Sequence, residues 1–362
     1  MTSADPLEVS LARLAAFGLP GVDPSPMVLD DPDGVLGVAV ARRVLPWVAA
    51  AVADGWVTGV SDEWRVDLRR RQLDAVQTTM AAHAAALDVA ERLDAAGIGD
   101  ARILKGCATG HLDYERAVDR FSTDVDLLVR PDDRPAFVAR FPAAVVPAPR
   151  REHWQNHYGK STTVVTPTKV EVDVHTMLGL GYFGLVIPLD ELFASPSPFT
   201  IAGVEFLALD GPNRLIHAST HAAASAHKGL HSVRDVLQLV LVSGVDWETA
   251  IIRAERWKID VLFARGVIEA WDTFPVPPHP LVQWARGVEP HGRQRVALRL
   301  ADGRPRGHHL TAPIALPAHQ WPGYIGPMLF PSRDYLAENS KNWRTRTKQL
   351  LAELLPRRSG QN

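Results

Sequence analysis

The chain has 362 residues, a formal net charge of −2 and one cysteine. Its 46% hydrophobic and 22% charged residues describe a globular protein large enough for two domains, without the global field that draws nucleic acid or an anionic membrane, and the lone Cys107 excludes an intramolecular disulfide and a cysteine-based zinc cluster. No apolar run approaches the roughly 20 residues that cross a bilayer, and the opening MTSADPLEVS has no basic region ahead of an apolar core, so a cytoplasmic protein without signal peptide or membrane contact is expected.

Residues 1–98 read as a helical region. Turns are expected at Pro20-Gly21 and Asp30 to Gly34, with helices over 36–53 and 66–96. In the second, Leu68, Leu73, Val76, Met80, Ala84, Leu87, Ala90 and Leu93 recur at helical spacing. Asp62 or Ser61 is its expected cap, and Ala96-Gly97 its stop.

The character changes near residue 100, and 99–210 reads as an α/β region. Ala101 to Leu104 is a short strand, and Lys105-Gly106 turns into a small-residue helix start at Cys107. Such a junction presents free backbone N–H groups to phosphate oxygens, and Lys105 adds a point charge. Next comes Ser122-Thr123-Asp124-Val125-Asp126-Leu127-Leu128-Val129. A strand alternates its side chains, so Asp124 and Asp126 point to one side. Two crowded carboxylates repel, and a divalent cation is the simplest relief. Pro131 is expected at the first position of a helix over 131–140. Val145-Val146, 161–166 and 169–175 read as strands, with Pro167-Thr168 as the turn between the last two. The last of them, Val170-Glu171-Val172-Asp173-Val174-His175, adds carboxylates on one face, and two aspartates plus a remote carboxylate suit a two-metal phosphoryl-transfer site.

From 211 to 300 the chain returns to helix: 214–228 capped by Asn213, about 231–243, and 247–256 introduced by Asp246 or Ser243. A proline-rich passage, 275–281, breaks the pattern. Residues 301–362 hold Pro313, Pro317, Pro322, Pro327 and Pro331 in expected irregular structure, closed by a basic amphipathic helix over about 333–355. His217 and His221 share a helix face, with His227 and His231 following. The spacing admits zinc, but position 218 is Ala, so the metalloprotease arrangement is missing; helix packing or substrate contact is the preferred reading.

The run LKGCATGHLDYERAVDRFSTDVDLLVRPDD resembles the core of the DNA polymerase β-like nucleotidyltransferase superfamily and, more closely, the bacterial family described as uncharacterised nucleotidyltransferase. The matching elements are Leu104-Lys105-Gly106, Tyr114, Arg120, Asp124/Asp126 and Asp173-Val174-His175, then His217, His221 and Asp235, and Phe330-Pro331-Ser332 near the end. The resemblance spans about residues 65–335. It implies an α+β fold: a mixed-sheet core flanked by helical regions on both sides. Asp124, Asp126 and Asp173 would be the catalytic metal ligands, with Mg²⁺ or Mn²⁺ as the ion. Glu171 is the rival third carboxylate; Asp173 is preferred because it lies in the Asp-x-His pattern. Lys105, Gly106, Cys107, Arg120, Ser122 and Thr123 would meet the nucleotide, and Glu171, His175, His217 and His221 are candidate substrate contacts. Cys107 departs from the superfamily, where a serine commonly follows the glycine, and a thiol is a weaker donor. The implied reaction moves a nucleotidyl group from an NTP such as ATP to a hydroxyl acceptor. A small natural product or a peptide suits the near-neutral charge better than a large RNA. Kinase-like phosphoryl transfer at the same site, and a non-catalytic nucleotide-binding module, are the alternatives. Removing either motif aspartate is expected to abolish turnover, and relief of repulsion to raise the metal-free melting temperature.

Overall fold

The computed structural model describes residues 5–142, 151–224, 229–302, 307–339 and 342–354. The expected strand at Val145-Val146, His227, Lys341 and the chain beyond residue 354 lie outside them.

Three short helices open the chain: α1 (Pro6–Ala15), α2 (Pro32–Ala41) and α3 (Leu45–Ala53), with a two-stranded parallel ribbon of β1 (Met27–Val28) and β2 (Val57–Thr58). The Asp5 and Asp31 side chains accept from Leu7 N–H and Gly34 N–H, and a proline fills the first turn of each capped helix. The single helix expected over 36–53 is two, because Arg43 takes a left-handed φ of 61° between α2 and α3. α4 (Asp62–Ala95) runs 34 residues; Ser61, rather than Asp62, caps it through Trp64 N–H, and Gly97 ends it at φ 70°.

The core sheet follows. β3 (Arg102–Leu104) leads directly into α5 (Lys105–Asp113), and β4 (Asp124–Leu128) comes next. α6 (Arg134–Val138) starts three residues later than Pro131 suggested, with Pro135 in its first turn, while residues 131–133 form a turn. Then come α7 (Glu152–Tyr158), β5 (Ser161–Val165), β6 (Glu171–His175), α8 (Tyr182–Leu185), α9 (Leu189–Phe193), and the hairpin β7 (Ser197–Ile201) and β8 (Val204–Ala208). The strand order is β5-β6-β4-β3-β8-β7, with β4–β6 and β3–β8 parallel and the other neighbours antiparallel. The hairpin, which the sequence reading left unassigned, turns at Ala202 (φ 48°) and Gly203 (φ 84°).

The sheet's two faces differ in chemistry. Val125, Leu127, Val172 and Val174 are fully buried and pack with Ala82, Ala85, Ala86 and Val89 of α4. Small alanines on α4 let the helix approach the valine-rich strands, and each buried Val or Leu contributes about 1.5–3 kcal/mol relative to exposure. The intervening strand positions carry the acidic residues, and they face the other way.

Helices cover that second face. α10 (Gly211–Ala224), α11 (Leu230–Leu237), α12 (Trp247–Arg256), α13 (Asp260–Thr273) and α14 (Pro280–Gly287) share one buried cluster with α1–α3, Leu104 and Leu128. α10 starts before Asn213: the Asp210 carboxylate accepts from Asn213 N–H, so Asp210 is the cap and Asn213 lies inside. α11 continues as a π-turn over Gln238–Val242, and Asp246 caps α12 through Thr249 N–H. α15 (Gly292–Ala301), α16 (Gly307–Ala315), α17 (Trp321–Leu329), α18 (Arg333–Asn339) and α19 (Trp343–Leu354) complete the chain. The prolines expected in irregular structure sit largely in helix: Pro322 in the first turn of α17, Pro313 and Pro327 late in α16 and α17. The single terminal helix is likewise two, α18 and α19.

Candidate functional site

Parallel pairing of β4 with β6 sets Asp126 beside Asp173 and Asp124 beside Glu171. Registered neighbours in a parallel pair face the same side, so the alternation along each strand gathers Asp124, Asp126, Glu171, Asp173 and His175 on one surface. The tight group is Asp126, Asp173 and His175, whose ligand atoms all lie within 4.8 Å of one another. Asp124 borders this group, and Glu171 is exposed at the strand's start. Of the two rival carboxylates, Asp173 is therefore the one beside Asp126. Thr163 of β5 reaches across the antiparallel pair and donates to Asp173 Oδ1.

Asp126 Oδ1 receives two partners: Lys105 Nζ at 2.7 Å and His175 Nε2 at 2.7 Å. Burial pushes the Asp126 carboxyl up, but Lys105 and the His175 hydrogen bond outweigh it and hold the group well below its ordinary range. Burial pulls the His175 imidazole down, so it is neutral and donates Nε2–H to the carboxylate. Its buried Nδ1 has no hydrogen-bond partner among the described residues. Asp124 is the opposite case. Burial first, then the neighbouring Asp126 and Asp173, raises its carboxyl above the ordinary value despite Lys105 and Arg43. Like charges gathered in a half-buried place are what a divalent cation relieves, and carboxylate oxygens are donors that suit Mg²⁺ or Mn²⁺, with His175 turned to one of them. The residues therefore fit such an ion.

Lys105 opens α5 with a left-handed φ of 42°, and the helix's first N–H groups lie beside it. Gly106 is required by a close approach: a Cβ there would lie 2.2 Å from Ser122 Oγ. Cys107 is 1% exposed, within the apolar cluster behind the sheet, and burial raises its thiol to about 12. A neutral, enclosed thiol leaves this position only its backbone to offer a ligand. Ser122 is buried too; its hydroxyl donates to Asp124 O at 3.1 Å and its N–H to Thr79 Oγ1 at 3.2 Å, so it secures the start of β4. Thr123 Oγ1 stands 3.5 Å from Asp124 Oδ1.

Arg120 lines the same small cavity as Lys105, paired there with Asp235. Its Nε and Nη2 bind both Asp235 oxygens at 2.7–2.9 Å, both side chains being buried. Tyr114 Oη donates to Asp235 Oδ1 at 2.9 Å and accepts from Arg234 Nη1 at 3.0 Å. The Arg234 guanidinium lies 4.2 Å from the Trp47 ring centroid. Tyr114, Arg120 and Asp235 thus form one network tying the loop before β4 to α11.

His217 and His221 project from α10 toward the same region, their ring centroids 6.3 Å apart. Burial, then the Lys105 charge, holds both well below the ordinary imidazole value, so both are neutral. His217 Nε2 is buried without a hydrogen-bond partner among the described residues. The group of three potential ligands found there does not include either histidine. His231 is half-buried beside Ser232, whose hydroxyl is 3.2 Å from Nε2.

Lys160, just before β5, escaped the sequence reading. Burial and the neighbouring Lys105 charge pull its ammonium down to about 8, while Asp126 and Asp173 act in the opposite sense. No residue pattern around Gly159-Lys160 signals this; only the sheet brings it near.

A family model described as uncharacterised nucleotidyltransferase matches residues 29–274. No curated protein and no solved structure matches the chain. No helix among the described residues is long and apolar enough to cross a membrane.

Proposed function

We propose that this chain, which belongs to the uncharacterised nucleotidyltransferase family, transfers a nucleoside monophosphate from a nucleoside triphosphate to a hydroxyl acceptor, a small molecule or a peptide. The observation that carries the reading is the registered Asp126–Asp173 pair, with His175, beside Lys105 at the start of α5. The acceptor oxygen attacks the α-phosphorus, the bond from that phosphorus to the bridging oxygen breaks, and pyrophosphate leaves. Asp173 takes the hydroxyl proton. Its Thr163 hydrogen bond fixes the carboxylate for that task. His175 positions Asp126 by donating to Oδ1. Lys105 and the first N–H groups of α5 hold phosphate oxygens. Asp124, Asp126 and Asp173 would hold a divalent cation, which would supply charge neutralisation to the transfer.

The test is thermal stability with each NTP, with and without Mg²⁺ or Mn²⁺, in wild type and Asp126→Ala. A ligand that binds only the folded state raises the melting temperature by mass action. A metal-dependent rise with one NTP, lost in the variant, is the expected result and names the donor. A rise equally large without metal, with no NTP consumed, would favour a binding module instead.

A further inference from the structure

A second cavity lies next to the site, near enough for its Lys160 to feel the charges of Asp126 and Asp173. Its walls are Leu178, Leu180, Phe183, Ile187 and Leu262, drawn from the segment after β6 and from α13, and its polar end is Lys160 with Thr220, His221 and His308. His221 also lines the neighbouring small cavity that holds Lys105 and His217, so the two spaces share a wall. The apolar wall is firmly built. Leu178, Phe183 and Leu262 are themselves almost fully buried. Gly181 adopts φ 62°, where a Cβ would collide with the His308 carbonyl, and Tyr182 N–H donates to Thr311 Oγ1 at 2.8 Å.

Lys160 is the odd group in this cavity. None of its neighbours among the described residues accepts a hydrogen bond from it or forms an ion pair with it. A half-buried cation whose nearest carboxylates act only through space and not by direct contact is incompletely compensated, and a ligand anion completes the compensation. Lys105 is held by Asp126 at the start of α5, whereas Lys160 heads a largely apolar pocket.

We propose that this cavity receives the acceptor, and that the acceptor is an acid with an apolar body: its anionic group rests on Lys160 and its hydroxyl lies toward Asp173. The inference rests on the transfer reading for the role of the hydroxyl. It makes Lys160 a specificity-determining residue and places hydroxyl and acid at the same end of the molecule.

The test is calorimetric titration of the full chain with 3-hydroxyoctanoate and with its neutral counterpart octane-1,3-diol, repeated with Mg²⁺ and α,β-methylene ATP. The acid is expected to bind at least about tenfold more tightly than the diol, the worth of one charge-assisted hydrogen bond. Lys160→Met should erase that preference and leave diol binding in place, and Lys160→Arg should keep it. Equal binding of acid and diol by the wild type, binding of neither, or a preference that survives Lys160→Met would overturn the proposal. The wild-type comparison needs no variant to fold. It also separates the two readings: acid binding without any NTP-dependent stabilisation removes the transfer reading alone, and NTP stabilisation without acid preference removes this one alone.

Discussion

The two charged regions on either side of the β4 start both set basic side chains against aspartates and do opposite things. In one, Arg120 and Asp235 pair on both oxygens, Tyr114 completes the acceptor, and every charge has a partner. In the other, Asp124, Asp126 and Asp173 crowd together, and Lys105 and His175 both turn to a single oxygen of Asp126. A matched buried pair is weak evidence for anything but structure, because it answers its own desolvation. An unmatched cluster holds a need that a ligand can meet. Arg120, expected at the triphosphate, is paired with Asp235, whereas Lys160 has no such direct partner among the described residues.

The largest effect that sharpens this contrast is Asp126→Ala. Turnover should fall by on the order of 10³-fold, the scale on which a group stabilising transferred charge is felt, measured as pyrophosphate release once the donor is known. Wild-type turnover in this variant would dissolve the contrast. Next is Asp235→Ala, which strands a buried guanidinium: a loss of about 3–5 kcal/mol in denaturant unfolding, with NTP binding per folded molecule retained. A variant that unfolds like wild type but no longer binds NTP would move Arg120 to the other side of the comparison.

Asp124→Asn should do the reverse and raise the metal-free melting temperature by about 1–3 °C. Asp126→Ala should lower it, because Lys105 and His175 lose their acceptor. The expectation that removal of either aspartate relieves repulsion therefore divides between the two. The pH dependence has a definite sign. Asp124 has a folded-state pKa above the ordinary value, so its contribution is fully present below the unfolded pKa and is lost as pH rises through the folded one. The advantage of Asp124→Asn should accordingly be present at neutral pH and vanish in acid. An advantage that persists with Asp124 protonated would mean that packing, not charge, produces it. The smallest signal is a null one. Cys107, buried with its thiol raised to about 12, should resist iodoacetamide at pH 8 in the native protein and react after unfolding. Rapid native labelling would show that the α5 start is open to solvent.

Much of the acidic strand was legible because its signal is local. Val125, Leu127 and Val129 alternate with Asp124 and Asp126, and a period of two has one structural meaning in so short a run. The Lys105-Gly106 junction and the β5–β6 hairpin were legible for the same reason. Proline misled in both directions. Pro131 lies in the turn ahead of a helix whose own first-turn proline is Pro135, and Pro313 and Pro327 are tolerated near helix ends. The β7–β8 hairpin went unread because a two-residue turn through Ala202 and Gly203 carries a fainter signal than Asn-Gly.

By itself the sequence determined the elements whose cause lies within a few residues: the alternation that puts two carboxylates on one strand face, the helix starts at Ser61-Asp62 and near Asp246, and the glycine stop at Gly97. Only the tertiary structure decided which carboxylate joins Asp126, since that depends on the register of β4 against β6. It alone paired Arg120 with a residue 115 positions away and brought Lys160 beside the cluster. Charge acts through space and periodicity along the chain, so the acidic strands were readable in one dimension and the partners only in three.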